Sequence, residues 1–329
     1  MIKIQGAFRL KTLFNLLFFF IYYNKMKVLV TGSNGLLGKS LQKIVKNNDT
    51  NDTYYFLTRK DCNLIDSNEV YNTFEKIKPD VVVHLASMVG GVYENMNNNY
   101  NMFINNIRIN TNIVDACNRY NVKKLINILS TCVFPDQNVT YPLTADQIHN
   151  GPPHGSNNGY AFSKRALHFG ASLLKNITVI NIIPTNLYGE YDNYEIDKAH
   201  VIPALIHKTL LAKTNNTELK INGTGNALRQ FLYVDDLSQI IYNNINENNI
   251  SGDFMISPPE DHEISIRDLI TKIVNIFDFK GPVVYDTTAS DGQMKKTTVS
   301  NIEYDFTDIN TGLLNTIHFF KTHYNELRH

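Results

Sequence analysis

The residues with the clearest chemical potential are Tyr160 and Lys164, which the run Tyr160-Ala161-Phe162-Ser163-Lys164 sets one helical turn apart on a common face. An ammonium beside a phenol favours phenolate. It draws a group whose ordinary pKa is about 10 toward working pH, where it can give a proton to a carbonyl undergoing reduction. The spacing alone recurs on many helices without meaning. It gains weight from Ser130, thirty residues upstream at the end of the apolar run Lys124 to Leu129, where a hydroxyl is placed to hydrogen-bond the same carbonyl oxygen.

A reduction needs a source of reducing equivalents, and Gly32-Ser33-Asn34-Gly35-Leu36-Leu37-Gly38 has the form of a site for one. Its glycines permit a tight turn, close approach of a dinucleotide pyrophosphate to the backbone, and tight packing of the helix that follows. Three glycines in a turn are more often just a turn. Between the strand-like run Lys27 to Thr31 and a helix over Lys39 to Val45, they read as a cofactor loop. The next strand ends Leu57-Thr58-Arg59-Lys60, with two cations and no carboxylate. A guanidinium pairs bidentately with a 2′-phosphate, so Arg59 favours NADP(H) over NAD. The plain alternative is a solvated basic loop, and Asp61 follows at once. Asp61, Asn63 and Leu64 are candidates to border the adenine.

These residues are positioned by an alternation of elements. Lys27 to Thr31, Thr53 to Thr58, Val81 to His84, Lys124 to Leu129 and Ile177 to Ile183 read as strands. Leu36 to Val45, Ser67 to Ile77, Tyr100 to Tyr120 and Tyr160 to Leu174 have helical periodicity. Such alternation predicts an α/β fold, a doubly wound parallel (Rossmann) sheet with helices on both faces, whose strands are continuously apolar, as Val81-Val82-Val83 is. After Pro184 the rhythm changes to proline-interrupted and Asn/Gly-rich stretches, and Phe231 to Ile245 reads as a helix returning to the sheet. The expected division is a dinucleotide-binding domain over 27–184 and 226–256, and a smaller α/β substrate domain over 185–225 and 257–329.

The 329 residues carry 43% hydrophobic and 19% charged side chains, enough to bury a substantial core. Their formal net charge of zero lacks the positive field expected of a nucleic-acid binder. Cys62, Cys117 and Cys132 are odd in number and contain no CxxC pair, which argues against a disulfide framework and against a metal site. A reducing, cytoplasmic setting fits. Leu13 to Tyr23 is an apolar run after Lys3, Arg9 and Lys11 that resembles a short signal segment. It is too short to span a bilayer comfortably, no small-x-small cleavage site follows, and it leads into the first strand. Residues 1–26 therefore read as an extension outside the enzyme fold, with Met26 as the natural start; a membrane anchor or targeting peptide is the competing reading.

With the glycine loop, Ser130 and YxxxK in this order, the chain resembles the extended short-chain dehydrogenase/reductases from Lys27 to about Lys296. Ser130-Thr131-Cys132-Val133-Phe134-Pro135, His149-Asn150-Gly151-Pro152-Pro153-His154, Pro184-Thr185-Asn186-Leu187-Tyr188-Gly189 and His200-Val201-Ile202-Pro203-Ala204-Leu205 are similar to segments of the GDP-L-fucose synthases, as is Val89-Gly90-Gly91 after His84-Leu85-Ala86. The resemblance implies that GDP-4-keto-6-deoxy-D-mannose is epimerised at C3 and C5 and then reduced at C4 with NADPH. Ser130, Tyr160 and Lys164 would serve the reduction, and Cys132 and His200 would form the acid/base pair of the epimerisation. Taken alone, a cysteine at a strand end is usually a small buried hydrophobe and a histidine at a helix start a capping or surface residue. By strand alternation Cys132 shares a face with Ser130 only if extended geometry persists through Thr131.

The same resemblance implies that Ala86, Leu129, Pro184, Thr185, Asn186, Leu187 and His200 border NADP(H), with Asn186 also reaching the sugar. Lys208, Asn222, Arg229 and Asp291 would contact the GDP-sugar, Arg229 as the diphosphate partner. Lys208 keeps the charge but not the fork of an arginine that relatives often carry. Asn222 stands where relatives commonly have tryptophan, so a planar contact is missing, and Asn34 stands where some have arginine, which leaves the NADP preference to Arg59. A homodimer through the 100–120 and 160–174 helices is the family expectation. Two alternatives compete: another nucleotide-sugar epimerase or dehydratase, against which Cys132 and His200 speak together, and a silent NADP-binding protein, against which the intact Ser130, Tyr160 and Lys164 speak.

Overall fold

The computed structural model describes residues 25–48, 50–247 and 250–327, so nearly all of the extension expected over 1–26 lies outside the described residues. The elements run β1 (Lys27–Thr31), α1 (Leu36–Asn47), β2 (Thr53–Phe56), α2 (Ser67–Ile77), β3 (Val81–His84), α3 (Val92–Asn97), α4 (Asn99–Arg119), β4 (Lys124–Ile128), α5 (Asn158–Ser172), β5 (Thr178–Pro184), β6 (Asn186–Tyr188), α6 (Val201–Asn215) and β7 (Leu219–Asn222). They continue through β8 (Leu228–Arg229), β9 (Phe231–Tyr233), α7 (Val234–Ile245), β10 (Gly252–Ile256), β11 (Ile264–Ser265), α8 (Ile266–Phe277), β12 (Val283–Asp286) and α9 (Ile309–Thr322).

Six strands form a parallel sheet in the order β10-β5-β4-β3-β1-β2. Alternation along each strand feeds two cores. Val28, Val30, Val81, Val83, Ile126 and Ile128 pack on one face with Leu41 of α1 and Leu237 and Ile241 of α7. Leu29, Val82 and Leu125 pack on the other with Phe74 of α2, Ile113 and Cys117 of α4, and Ala171 of α5. Burial on both faces is why these strands are continuously apolar. The doubly wound fold is thus as expected, and β10, absent from the sequence reading, extends the sheet beyond β5 with Ile256 opposite Pro184.

A third core gathers Ile206 of α6, Leu219 of β7, Leu269 and Ile273 of α8, and Leu313 and Phe320 of α9. One expectation needs correction here: Phe231 to Ile245 is not a single helix. Phe231–Tyr233 pairs in parallel with Asn186–Tyr188, and helical structure begins at Val234. The cause is tertiary. The backbone of β6 supplies a pairing edge, and Tyr188 packs edge-on to Phe231 and against Tyr233, with ring centroids 6.4 and 5.6 Å away.

The strand order reverses at β1, which has β2 on one side and β3 on the other. In open α/β sheets the crevice above the carboxyl ends at such a reversal is where ligands bind. Among the described residues no helix is long and apolar enough to cross a membrane.

Candidate active site

The carboxyl ends of β1, β3, β4 and β5 deliver the glycine loop, Ala86, Ser130 and Thr185 to that crevice. Gly32 has φ +71, and a β-carbon there would lie 2.7 Å from the Ala86 nitrogen; one on Gly38 would lie 2.5 Å from the Gly32 oxygen. Gly35, by contrast, has only the Gly32 oxygen at 3.4 Å. Two glycines are therefore required by packing within the protein. The third faces open space at the start of α1, where free N–H groups and the helix dipole favour an anion. Ser33 turns inward, its hydroxyl donating to the Val30 carbonyl at 3.0 Å, and Leu37 joins the core, so both offer backbone only. Asn34 is exposed.

Arg59 and Lys60 are exposed at the edge of β2. Asp61 accepts from the Thr58 amide at 2.8 Å and the Thr58 hydroxyl at 2.6 Å, bonds that hold its carboxyl below the usual range. The Asp61 carboxylate is thereby tied into its own turn. Leu64 is half-buried, its carbonyl held by the Asn112 amide. Thr185 is buried with an unpartnered hydroxyl. Leu129 is buried, Pro184 closes β5, and Leu187 packs against the sheet core. Together, the open glycine turn at the start of α1, the cationic β2 edge and the orphaned Thr185 hydroxyl fit a phosphorylated dinucleotide.

Beneath the crevice a buried strut links its two walls. The neutral ring of His84 receives the Thr31 hydroxyl at Nδ1 (2.9 Å) and donates from Nε2 to Asn110 Oδ1 (3.1 Å), while Asn110 Nδ2 donates to the Ser163 carbonyl beside Lys164. The roles follow from the amide, whose oxygen can only accept. Burial, then the nearby Lys164 charge, press the His84 pKa down to about 3.

The residues expected to react lie near this strut, with Lys164 next to the Ser163 carbonyl that it holds. Lys164, 1% exposed, donates to the Ile128 carbonyl at 2.8 Å and lies 5.8 Å from the centre of the Tyr160 ring. Burial lowers its pKa to about 7. The expectation that this lysine draws Tyr160 toward phenolate is not met. Burial first, then the Cys132 charge, push the phenol above its ordinary value, against the Ser130 and Ser87 hydroxyls that pull it down. The phenol is held protonated, which suits a proton donor.

Extended geometry does not persist past Ser130, because Thr131–Val133 is a turn of 3₁₀-helix capped by the Ser130 hydroxyl. Cys132 reaches the cleft through that turn instead, its N–H donating to Ser130 Oγ at 3.2 Å. Its sulfur accepts from Asn157 Nδ2 at 2.9 Å and Lys296 Nζ at 3.3 Å. Burial alone would raise the thiol pKa, but Lys296, the Ser130 hydrogen bond and Arg229 outweigh it and the net direction is down. His200 occupies the N-cap position of α6 without a side-chain capping bond and is exposed; desolvation, then the Lys296 charge, lower its pKa.

Other expected contacts have prior commitments. Arg229 donates to the carbonyls of Leu228 (2.7 Å), Met294 (3.4 Å) and Gln293 (2.6 Å). Asp291 holds the turn at Gly223, accepting from the Thr224 amide (2.7 Å), the Thr224 hydroxyl (2.6 Å) and the Gly225 amide (3.4 Å). Asn186 donates to the Gln230 carbonyl at 3.0 Å. Asn222 is exposed, and Lys208 lines a cavity of about 470 Å³ with Asn215, Glu218 and Lys220. The sequence reading missed Ser87, Asn110, Asn157 and Lys296. Only Asn110 carried a local signal, an amide on the apolar face of α4 between Ile109 and Ile113.

Residues 28–256 match the model of the NAD dependent epimerase/dehydratase family. The chain is 42% identical over 316 residues to a GDP-L-fucose synthase of Dictyostelium discoideum, covering 93% of this chain and 98% of that one. It is 30% identical to a GDP-L-colitose synthase of Yersinia pseudotuberculosis, covering 90% and 98%. Among solved structures, a GDP-L-fucose synthetase of Naegleria fowleri bound to NADP superposes with a TM-score of 0.84 at 36% identity, over 92% of this chain and 95% of that one.

Proposed function

The chain belongs to the GDP-L-fucose synthase family of the extended short-chain dehydrogenase/reductases, and from that premise we propose that it makes GDP-L-fucose from GDP-4-keto-6-deoxy-D-mannose. It is an enzyme of GDP-sugar epimerase and reductase chemistry, and its cofactor is NADP(H). One observation supports the finer reading above the rest. Ser130 joins the two chemistries, since its hydroxyl accepts the Cys132 amide at 3.2 Å and also acts on the Tyr160 phenol, pulling its pKa down. An acidified thiol and a protonated phenol on one serine suit a pocket that first moves protons beside a ketone and then protonates its oxygen.

The Gly32–Gly38 loop and α1 would hold the pyrophosphate, Arg59 the 2′-phosphate, and Ala86, Leu129 and Pro184 to Leu187 the nicotinamide half. NADPH, when bound, supplies the hydride for C4. The ketone oxygen lies against Ser130 and Tyr160, where the phenol gives up its proton as the oxygen becomes a hydroxyl. Before that, the Cys132 thiolate takes the proton at C3 or C5, which the neighbouring carbonyl acidifies, and His200 returns one to the opposite face. Segments 185–225 and 257–329 form the substrate side, with Lys208 and Arg229 as the cations available to a diphosphate and Asp291 shaping the turn beside it. Paired copies would meet through α4 and α5, where Phe103, Phe162, Phe169 and Leu173 remain exposed.

The test is product analysis with GDP-4-keto-6-deoxy-D-mannose and NADPH. GDP-L-fucose is the expected product; absence of NADPH oxidation overturns the proposal. Tyr160→Phe should suppress hydride transfer and leave solvent deuterium exchange at C3 or C5 measurable. The colitose synthase is a relative whose name carries a different sugar, and the sugar released decides between the two.

A further inference from the structure

Lys296 is an unusual lysine. It is 9% exposed, yet among the described residues no carboxylate forms an ion pair with it; its hydrogen-bond partner is the Cys132 sulfur at 3.3 Å. Burying an ammonium without a counter-anion is costly, and such groups either lose their proton or find a negative partner. The segment carrying it is fixed from both sides. Leu143 donates to the Thr297 carbonyl at 2.9 Å, the Thr298 amide donates to Gln230 Oε1 at 2.9 Å, and the Tyr141 hydroxyl donates to the Lys295 carbonyl at 3.0 Å. A side chain remote in sequence is thus aimed at the sulfur by three anchors. Asn157 completes the cradle with an amide donor at 2.9 Å, its own oxygen buried without a partner. Two N–H donors converging on one sulfur describe a site for a thiolate, since a thiol would bring its own hydrogen to the cluster.

We propose that Lys296 is a positioning residue of the epimerisation, its ammonium and the Asn157 amide holding Cys132 as the thiolate that takes the sugar's C3 and C5 protons. As the C–H bond breaks, S–H forms and the electron pair passes to the C4 carbonyl as enolate. His200, as imidazolium, delivers a proton to the opposite face and becomes neutral; before the second centre is inverted the Cys132 thiol loses its proton to solvent and His200 regains one. Lys296 takes no part in the proton transfers and also faces His200, where with desolvation it favours the neutral form and so strengthens it as an acid. The charged or titratable groups facing the sulfur are Lys296, Arg229 and Tyr160, the two cations both acting to lower the thiol pKa.

The proposal rests on reading Cys132 as the epimerisation base, but its test contains no sugar. Cys132 alkylation by iodoacetamide is followed against pH by peptide mass spectrometry, which separates it from Cys62 and Cys117, 2% and 0% exposed. In the parental protein the midpoint should fall below that of a free cysteine, about 8.5. A midpoint at or above that value overturns the proposal without any variant. Lys296→Met should raise the midpoint by at least one pH unit and slow alkylation at neutral pH about tenfold, and Lys296→Arg should restore most of it. An unchanged midpoint in Lys296→Met, or no rescue by arginine in a folded protein, overturns it. Asn157→Leu should move the midpoint upward by less. An acidic thiol with no exchange at C3 or C5 would sink the functional reading alone; normal exchange through an ordinary thiol would sink this one alone.

Discussion

Gly35 and Gly38 lie three residues apart in one loop, yet substituting them by alanine should damage different properties. A β-carbon on Gly38 would sit 2.5 Å from the Gly32 oxygen and 2.6 Å from Ser33 Cα, both backbone atoms of the same turn. Overpacking of this kind costs about 1–3 kcal/mol. At about 2–4 °C per kcal/mol for a large domain, Gly38→Ala should lower the cofactor-free Tm by about 2–12 °C. Gly35 has φ −80 and ψ 173, an extended conformation open to any residue, and its β-carbon would meet nothing nearer than 3.4 Å. Gly35→Ala should therefore leave the cofactor-free Tm within about 2 °C of parental, with a slight gain if anything from a stiffer unfolded chain. Its methyl group would stand where the cofactor phosphates are proposed to approach the backbone. A clash of about 1–3 kcal/mol there weakens NADPH binding roughly 5- to 150-fold. Thermal unfolding without nucleotide and NADPH fluorescence titration separate the two effects. The reasoning is refuted if Gly35→Ala binds NADPH with parental affinity, or if it loses as much cofactor-free stability as Gly38→Ala.

Cys132→Ser removes a negative charge that raises the Tyr160 pKa, so the alkaline limb of single-turnover hydride transfer should move to lower pH than in the parental enzyme; an unmoved or higher limb would break the proposed coupling of the two chemistries. Arg59→Ala should raise KM for NADPH roughly tenfold and leave that for NADH nearly unchanged, so steady-state kinetics with the two cofactors checks whether this exposed guanidinium pairs with the 2′-phosphate.

What was legible in the sequence was whatever is written locally. The glycine loop, the buried strands and the Tyr160/Lys164 pair each depend on neighbours within a few residues, and each occupies the place its spacing implied. Where a partner comes from far along the chain, the reading failed or was incomplete. The opening residues of Phe231 to Ile245 were drawn into a strand by β6, forty-five residues earlier at Asn186. Lys296 reaches Cys132 across 164 residues, and nothing in its own surroundings marks it out. The protonation of Tyr160 followed the same pattern: adjacency to Lys164 was visible, whereas burial and the Cys132 charge were properties of the assembled cleft.

The strut of Thr31, His84 and Asn110 bears on how the enzyme meets acid. His84 is held neutral, with its folded pKa near 3 against an ordinary 6.5, because burial, and then the nearby Lys164 charge, disfavour a second ring proton. Below pH 6.5 the unfolded chain takes up a proton that the folded chain refuses. The stability present above that pH therefore drains away as pH falls toward 3. Both walls of the crevice hang from this ring, one through the strand that ends in the glycine loop and one through the helix that bears Tyr160 and Lys164. Mild acid accordingly works on the hinge between the two walls, so an acid-inactivated preparation should lose its grip on dinucleotide and its reducing groups together, as a door comes off with its frame.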